Sequence, residues 1–206
     1  MFQTITIATV LYFATAIDLI TILLIFFGRA QTKKQYRNIY LGQYLGSITL
    51  IIISLILAYV LGFVPQKWIL GLLGFIPIYF GIKTLFSDDS AEEENAENQL
   101  QKKGLNKLTS IVALVVIGSC GADNIGLFVP YFVSLNVQSL VITLIVFLVL
   151  IFVLAFVAHK ISDIPGVGEV IENYSRWIIT VIYIGLGLFI IIENKTIQVI
   201  FEMLFS

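Results

Sequence analysis

Long apolar segments, separated by short polar ones, make up most of this chain. A transmembrane helix needs about 20 mostly apolar residues, and six segments of that kind occur. They span 3–27, 39–62, 67–86, 109–133, 139–158 and 175–193. The only long polar stretch, 87–108, carries acidic residues followed by three lysines. We therefore predict an all-α membrane protein with six transmembrane helices, in which this linker joins two three-helix units, 1–86 and 109–206.

Composition supports a membrane protein and excludes several other classes. Hydrophobic residues make up 59% of the chain and charged residues 12%, with a mean hydropathy of +1.00, whereas soluble domains have roughly 45–50% and 25%. This balance excludes a soluble enzyme and a disordered chain. The net charge of -1 offers no basic surface to nucleic acid. A single cysteine excludes a disulfide framework and a zinc cage of several thiols. Membrane lipid is therefore an expected partner, and nucleic acid is not.

The lysines and arginines predict the orientation of the chain. Positive residues are enriched in the cytoplasmic loops of membrane proteins, and here nearly all of them fall on one alternating side. That side carries Arg29, Lys33, Lys34, Arg37, Lys83, Lys102, Lys103, Lys107, Lys160 and Arg176. The other side carries only Lys67 and Lys195. With the first side in the cytoplasm, both termini lie outside (N-out/C-out) and the linker 87–108 is cytoplasmic.

The two halves show a weak internal similarity. Residues 13–27 match 118–132 at an offset of 105, which places Asp18 opposite Asp123. Near the end of each half, 78–81 (IYFG) matches 182–185 (IYIG) at an offset of 104. Few identities are involved, so chance is the alternative explanation. Because each half has three helices, a true repeat is inverted across the membrane, which is a transporter architecture with its site near the midplane.

Asp18 and Asp123 are the strongest candidate site residues. Of the 13 acidic residues, only these two lie deep inside predicted helices. A carboxylate at the centre of a transmembrane helix costs roughly 2.5–3.5 kcal/mol on insertion scales, and such residues usually mark ion or substrate pathways. The alternative is a buried structural hydrogen bond, which the coincidence of both aspartates under the repeat disfavours. Together the two carboxylates would neutralise a divalent cation.

Neighbouring residues supply further candidate metal ligands. Thr15 and Cys120 each stand three residues before an aspartate and share its helical face, and Asn124 adds an amide oxygen. We predict one metal cage formed by Asp18, Asp123, Cys120, Asn124 and Thr15. Oxygen ligands suit magnesium, calcium and manganese, whereas a thiolate favours softer ions such as zinc and cadmium. Cys120 is either such a ligand or a small buried apolar residue, and the residues alone leave this choice open.

Glycines and prolines predict local departures from regular helix. Segment 118–126 contains three glycines, and Pro130 leaves the Gly126 carbonyl without its intrahelical donor. We predict a helix break that lines a cavity there, with close glycine packing as the alternative. Gly74, Pro77 and Gly81 predict a bend in the third span.

Three other features of the spans bear on packing or function. Gly42 and Gly46 form a small-xxx-small pair, which is typical of close helix packing. Gln43 lies between them and is polar at membrane depth, so it either lines a site or belongs to that packing. His159 is the only histidine and ends the fifth span. It is either a proton relay or an interfacial side chain.

Four blocks of the chain carry a resemblance to a known family. They are 14–18 (ATAID), 42–46 (GQYLG), 119–132 (SCGADNIGLFVPYF) and 182–185 (IYIG). On these blocks the chain resembles the cadmium-resistance transporter (CadD) family of the LysE exporter superfamily. The resemblance implies a bacterial plasma-membrane protein that exports cadmium, with zinc as a second expected cargo and no resident cofactor. Both aspartates fit the family, whereas the single thiol departs from the thiol-rich site expected for cadmium.

Several hypotheses about mechanism follow from these residues. No phosphate-binding loop of the Gly-x-x-x-x-Gly-Lys-Ser/Thr type occurs, so we expect proton antiport, in which protons on Asp18 and Asp123 exchange for one divalent cation. One alternative is an exporter of organic cations, amino acids or quaternary ammonium compounds, held by aromatic side chains. A remote alternative is an intramembrane aspartyl protease, although 120–123 reads Cys-Gly-Ala-Asp rather than Gly-x-Gly-Asp. The chain is otherwise not expected to be an enzyme, and a homodimer is possible by sequence.

Overall fold

The structure is a computed structural model that describes residues 1–62, 67–86, 107–164 and 167–205. Within these ranges, the side chains at 17, 18, 67, 85, 167–176, 178 and 203–205 lie outside the description. Every regular element in the described ranges is helical. The predicted linker 87–108 lies outside the described residues except for its last two positions.

Eight helices follow one another along the described chain. They are α1 (Phe2–Gly28), α2 (Lys33–Leu61), α3 (Lys67–Leu72), α4 (Phe75–Phe86), α5 (Leu108–Ser134), α6 (Val137–Ile161), α7 (Val167–Glu193) and α8 (Thr196–Phe205). Each predicted span coincides with one of these helices, or with the α3–α4 pair. The short helix α8 was not predicted.

The helices are long and apolar enough for a membrane protein. Three of them, α2, α5 and α6, are each long and apolar enough to span a bilayer. Helix α1 bends by 55° between Phe2–Ala16 and Leu19–Gly28, and the chain bends by 53° between Ile179–Glu193 of α7 and Thr196–Glu202 of α8. If each bent pair is counted as one span, two further spans are long and apolar enough to cross a bilayer. The described chain therefore has three to five membrane-capable helices, which confirms the helical membrane class. The six-helix count stays a prediction.

The third predicted span is divided by a turn, as its glycine and proline predict. The carbonyl of Leu73 accepts from the Ile76 amide at 3.1 Å, and the amide of Gly74 donates to the Gly71 carbonyl at 3.0 Å. These are bonds between residues three apart, so the chain tightens between α3 and α4. Pro77 then lies in the first turn of α4, where its missing N–H removes no intrahelical bond.

The break predicted at 118–126 is wrong. Helix α5 runs without interruption from Leu108 to Ser134 and includes Pro130. Neighbouring helices support it, because a β-carbon at Gly121 would lie 3.5 Å from Leu50 of α2, and one at Gly126 would lie 2.5 Å from the Phe80 ring of α4. A glycine costs only about 1 kcal/mol in a helix interior, which such packing on two sides offsets. The alternative of close glycine packing therefore holds at Gly126, whereas a β-carbon at Gly118 would meet no atom within 4 Å.

The most extensive helix contacts join the two halves of the chain: α2 with α5, α4 with α7, and α1 with α6. Helices α2 and α5 run parallel, since Gly42 lies against Val112 and Gly46 against Val116. A β-carbon at either glycine would lie 2.7–2.8 Å from the β-carbon of that valine. The packing interpretation of Gly42 and Gly46 is thus confirmed.

The other two pairs have equally clear directions. Helices α4 and α7 are antiparallel, because Gly74 lies against Gly187 and Gly81 against Tyr183. Helices α1 and α6 are parallel. The ring of Tyr12 lies 5.4 Å from that of Phe147, and nearer the other end of both helices the Phe27 and His159 rings lie 4.9 Å apart.

Helix α2 shows how the fold inverts the pattern of a soluble protein. Its buried face includes the polar residues Gln43, Ser47 and Ser54, whereas large apolar residues such as Ile52 and Ile56 are more than one-third exposed. In water, such a helix would expose an apolar surface and bury polar groups. In a bilayer the same arrangement is favourable, because lipid covers the apolar face. The chain is therefore built to lie in a membrane.

Candidate functional site

Polar side chains are buried in the middle of the apolar helices. The buried set consists of Thr15, Gln43, Ser47, Ser54, Asn124, Thr143, Thr180 and Thr196. Thr15 of α1, Ser47 of α2 and Asn124 of α5 each lie near the middle of a long helix. Polar groups at that depth are costly unless they are satisfied or serve a function. This cluster is the natural place to look for a site.

A small cavity lies where α1, α2 and α5 meet. Its polar lining comes from Tyr12, Ser47 and Asn124, one residue from each helix. Apolar side chains complete the wall: Leu19, Leu50, Ile51 and Phe128. The volume is about 10 Å³, which is about the minimum that holds one water molecule. The hydroxyl of Tyr12 is buried, and it has no hydrogen-bond partner among the described residues.

Asn124 and Cys120 lie side by side on α5. The Asn124 Nδ2 donates to the backbone carbonyl of Cys120 at 2.7 Å, and the side chains of Asn124 and Cys120 are 3% and 2% exposed. This bond occupies the amide nitrogen and does not involve the Oδ1 oxygen. Asn124 of α5 and Tyr12 of α1 both line the cavity, so the Asn124 amide oxygen is a candidate ligand there.

Thr15 belongs to the same neighbourhood. It is buried, and its hydroxyl donates to the carbonyl of Tyr12 at 3.0 Å. The hydroxyl oxygen keeps acceptor capacity after making that bond. Of the predicted site residues, the structure therefore brings Thr15, Cys120 and Asn124 close to the residues that line one cavity.

The two aspartates are described to different extents. Asp123 is partly buried on α5, one position before Asn124. Asp18 lies in α1, one position before the cavity residue Leu19, and its side chain lies outside the described residues. The predicted approach of the two carboxylates to each other therefore stays a prediction.

The titratable groups of the described region do not form a complete metal site. No three His, Cys, Asp or Glu side chains in that region lie together in a way that could hold a metal ion. A cation at this place would need Asp18, neutral oxygens, or both. The buried amide and hydroxyl oxygens around the cavity are the neutral donors that the described chain offers.

Two cavity residues were not singled out from the sequence. Tyr12 stands three residues before Thr15, and Ser47 stands four residues after Gln43, so helical spacing placed each on the face of a residue already of interest. The structure joins the second pair directly, because the Gln43 Nε2 donates to Ser47 Oγ at 3.2 Å. A search for polar residues three or four positions from each candidate would have found both.

A larger groove lies between α1 and α7 and differs in character. Its volume is about 290 Å³, and Thr6 is the one polar side chain among the residues that line it. The others are apolar, including Ile7, Ile182 and Phe189. A groove of this lining suits an apolar chain rather than a cation.

His159 lies at the Gly28 end of α1, far along the helices from the cavity. Its ring stacks on Tyr36 at 4.5 Å and on Phe27 at 4.9 Å. The Tyr40 hydroxyl and His159 Nδ1 are 3.0 Å apart. This aromatic packing favours a role for His159 as an interfacial side chain over a role as a proton relay.

An all-helical membrane protein with apolar outer faces and a polar cluster at mid-helix has the make-up of a small membrane transporter. Comparison with known families agrees with this class. The family model of cadmium resistance transporters matches residues 12–203, and the chain belongs to that family. The resemblance seen in the sequence is thereby confirmed, and the family is one of transporters rather than enzymes. Neither the curated proteins nor the solved structures contain a match to this chain.

Proposed function

We propose that this protein exports cadmium from the cytoplasm across the bacterial plasma membrane, with zinc as a second cargo. The observation that carries this proposal is the family match, which covers 12–203 of the 206 residues. The cavity between α1, α2 and α5, which Tyr12, Ser47 and Asn124 help to line, supports a transport site in this part of the molecule. Metal is the cargo of this protein and not a resident cofactor.

The proposed metal site is formed by Asp18, Asp123, Cys120, Asn124 and Thr15. Three features support it: Cys120 and Asn124 are buried together on α5, Thr15 is buried on α1, and Asn124 lines the cavity. A mixed set of carboxylates, sulfur and neutral oxygens suits a divalent ion of intermediate softness. Two carboxylates would also cancel the charge of the ion, which is needed at membrane depth.

The proposed membrane topology has six crossings with both termini outside. In such a chain the first and fifth spans run the same way, as do the second and fourth, while the third and sixth run oppositely. The observed directions of α1 with α6, α2 with α5 and α4 with α7 agree with this scheme. The distribution of positive residues supports the same arrangement.

The helix contacts also support the proposed inverted repeat. Exchanging the two halves turns α1 into α5 and α2 into α6, so the α1–α6 pair becomes the α5–α2 pair. The α4–α7 pair is exchanged with itself. These are the three most extensive contacts of the fold. A cavity lined by α1 and α5, the first helix of each half, is where an inverted-repeat transporter places its site.

The proposed energy source is the proton gradient. Protons on Asp18 and Asp123 would exchange for one divalent cation while Cys120 keeps its proton, so both loaded states are electrically neutral within the membrane. Neutral loaded states avoid the cost of moving charge through hydrocarbon. Collapse of the proton gradient, with the membrane potential held fixed, is expected to stop metal transport. Unchanged transport under that condition would contradict the antiport mechanism.

The cavity favours a metal ion over an organic cation. Pockets for organic ligands usually measure about 300–1,000 Å³, whereas the polar cavity measures about 10 Å³. The groove between α1 and α7 is larger, but its lining is apolar. An ion without its hydration shell therefore fits this cavity better than an organic cation does. The hypothesis of an intramembrane aspartyl protease has no support, because the matching family is one of transporters.

The test is uptake of radioactive cadmium by everted, energised membrane vesicles, in which export appears as uptake. Vesicles with the wild-type chain are expected to accumulate cadmium, and Asp18→Asn and Asp123→Asn are expected to abolish accumulation at normal expression. Cys120→Ser reports whether sulfur sets the affinity for soft ions. Wild-type vesicles that accumulate no more cadmium than empty vesicles would overturn the proposed function.

A further inference from the structure

The groove between α1 and α7 takes no part in the proposed transport site. Its volume is about 290 Å³, and its walls include Val10 of α1 and Ile182 and Phe189 of α7. Among the lining residues only Thr6 carries a polar side chain, and its hydroxyl donates to the Phe2 carbonyl at 3.1 Å. The groove therefore offers an occupant almost only hydrocarbon contacts.

The groove opens onto a surface that lipid covers. Val10 in its wall is 44% exposed, and Val181 and Leu188 of α7 are also more than one-third exposed. Large apolar side chains on the outside of a helical membrane protein face acyl chains, which are equally apolar. Along α7 the lining extends from Ile182 to Phe189, which is about 10 Å at 1.5 Å per residue. A segment of acyl chain matches this lining in polarity and is available at this depth of the bilayer.

Gly185 keeps the groove open. It is one of the lining residues, and a β-carbon added to it would meet no atom within 4 Å. Gly187, two positions further along α7, is different, because a β-carbon there would collide with the Gly74 carbonyl of α4. Gly185 therefore does not serve close helix packing. Its missing side chain leaves space in the groove.

A lysine lies just beyond the end of the groove. Lys195 follows Phe189 by six residues, about 9 Å further in the direction of α7, and it is exposed. Its backbone φ is 53°, in the left-handed region that glycine usually occupies at the end of a helix. Lys195 is also one of only two positive residues on the side of the chain that we predict to lie outside. A lysine kept at such a position indicates a use for its charge, and anionic lipid headgroups attract lysines at a membrane surface.

We propose that the α1–α7 groove binds one acyl chain of an anionic phospholipid, whose headgroup lies at Lys195. The apolar walls hold the chain, and the lysine favours a negative headgroup over a neutral one. Lipid binding at this place is a property separate from metal transport.

The competing explanation is that the groove is a shallow irregularity of the surface, past which lipids exchange as they do elsewhere. In that case an acyl chain contacts the groove no more often than it contacts the outer face of α6, where Ile145 and Val149 are both exposed. A bound chain instead contacts the groove more often than that face. Filling the groove then removes the excess.

The experiment uses the purified full chain in vesicles of phosphatidylglycerol and phosphatidylethanolamine. A trace of either lipid carries a photoactivatable group near the middle of one acyl chain, and mass spectrometry locates the labelled residues. Gly185→Phe fills the groove from α7, and Val10→Phe fills it from α1. Gly118→Phe is the matched control, because Gly118 is an exposed glycine of α5 whose added β-carbon also meets no atom within 4 Å. Labelling of the α6 face serves as the internal control for insertion and folding of each variant.

Three further variants test the headgroup. Lys195→Gln removes the positive charge, Lys195→Arg retains it, and Glu193→Gln removes a negative charge from the same end of α7. The quantity compared is the ratio of groove labelling by the phosphatidylglycerol probe to that by the phosphatidylethanolamine probe.

We expect wild-type groove residues to be labelled severalfold more than the α6 face. Gly185→Phe and Val10→Phe are expected to reduce groove labelling to the level of the α6 face, and Gly118→Phe is expected to leave it unchanged. Lys195→Gln is expected to lower the preference for phosphatidylglycerol by about fivefold, the effect of one lysine near the membrane surface. Lys195→Arg and Glu193→Gln are expected to retain that preference.

Three results would overturn the proposal. One is equal labelling of the groove and the α6 face in wild type, which needs no variant to fold. Another is groove labelling below that of the α6 face, which would mean that protein, such as a second copy of the chain, covers the groove. The third is an unchanged preference for phosphatidylglycerol in Lys195→Gln. None of these results bears on cadmium uptake, so the proposed function is tested separately.

Discussion

Replacement of Gly42 by alanine is expected to force α2 away from α5. A β-carbon at this position would lie 2.7 Å from the Thr109 carbonyl oxygen and 2.7 Å from the β-carbon of Val112. Non-bonded carbon atoms prefer about 3.5–4.0 Å, so the helices must separate by roughly 1 Å at this point. Neither neighbouring atom can rotate out of the way, because one belongs to the backbone and the other is a β-carbon.

The magnitude follows from comparison with a second glycine. Overpacking of this kind costs about 1–3 kcal/mol. At Gly118 on α5, no atom lies within 4 Å of the added β-carbon, so Gly118→Ala gains only the helix preference of alanine, about 1 kcal/mol. Because both positions receive the same helix preference, the difference in stability between the two variants isolates the overpacking at Gly42.

Cys120 provides the assay. It is the only cysteine and is 2% exposed, so a thiol-reactive fluorophore reports its exposure as the purified protein unfolds on heating. Gly42→Ala is expected to unfold about 2–12 °C below Gly118→Ala, since 1 kcal/mol shifts the midpoint by about 2–4 °C in a chain of this size. Equal midpoints for the two variants would refute the close α2–α5 crossing.

Three more predictions concern topology and two contacts between helices. In a cysteine-free background, an impermeant thiol reagent added to intact cells is expected to label Gln138→Cys but not Gln31→Cys, because positive residues place the loop between α1 and α2 in the cytoplasm. The reverse pattern would contradict the N-out orientation. Tyr40→Phe and His159→Ala are expected to be coupled by about 0.5–1.5 kcal/mol in a double-mutant cycle of unfolding free energies, since the Tyr40 hydroxyl lies 3.0 Å from His159 Nδ1. Strictly additive effects of the two substitutions would argue against that bond. Thr180→Val is expected to lower the free energy of unfolding by about 0.5–1.5 kcal/mol, because the Thr180 hydroxyl donates to the Gly81 carbonyl of α4 at 3.1 Å. An unchanged unfolding midpoint would show that this bond does not stabilise the contact between α7 and α4.

Local patterns predicted the helices well, because hydropathy acts over a single segment of chain. The bounds of α2 and α5 differ from the predicted spans by a few residues, mainly where polar turns extend each helix beyond its apolar part. The bend between α3 and α4 was predicted from Gly74 and Pro77, since proline fits the first turn of a helix but not its interior. The short helix α8 was missed, because ten residues after the last span carry no membrane-length signal.

The behaviour of Pro130 and its neighbouring glycines depended on contacts with other helices. The same residues that predicted a break are accommodated in a continuous helix, because Leu50 of α2 and Phe80 of α4 pack beside Gly121 and Gly126. The energy of a glycine or proline in a helix is only a few kcal/mol, so packing on both sides can reverse the local preference. No property of the segment itself contains that information.

The sequence by itself determined that the chain is a helical membrane protein, and its motifs indicated the transporter family. It also singled out Asp18 and Asp123, because a carboxylate in an apolar segment is conspicuous wherever the helix packs. Only the tertiary structure decided that Tyr12, Ser47 and Asn124 meet at one cavity. Hydroxyl and amide groups are common in helices and acquire a role only through their neighbours. Those neighbours lie on three helices, of which α5 is distant in sequence from α1 and α2. The register of α5 against α2 is set by packing at Gly42 and Gly46.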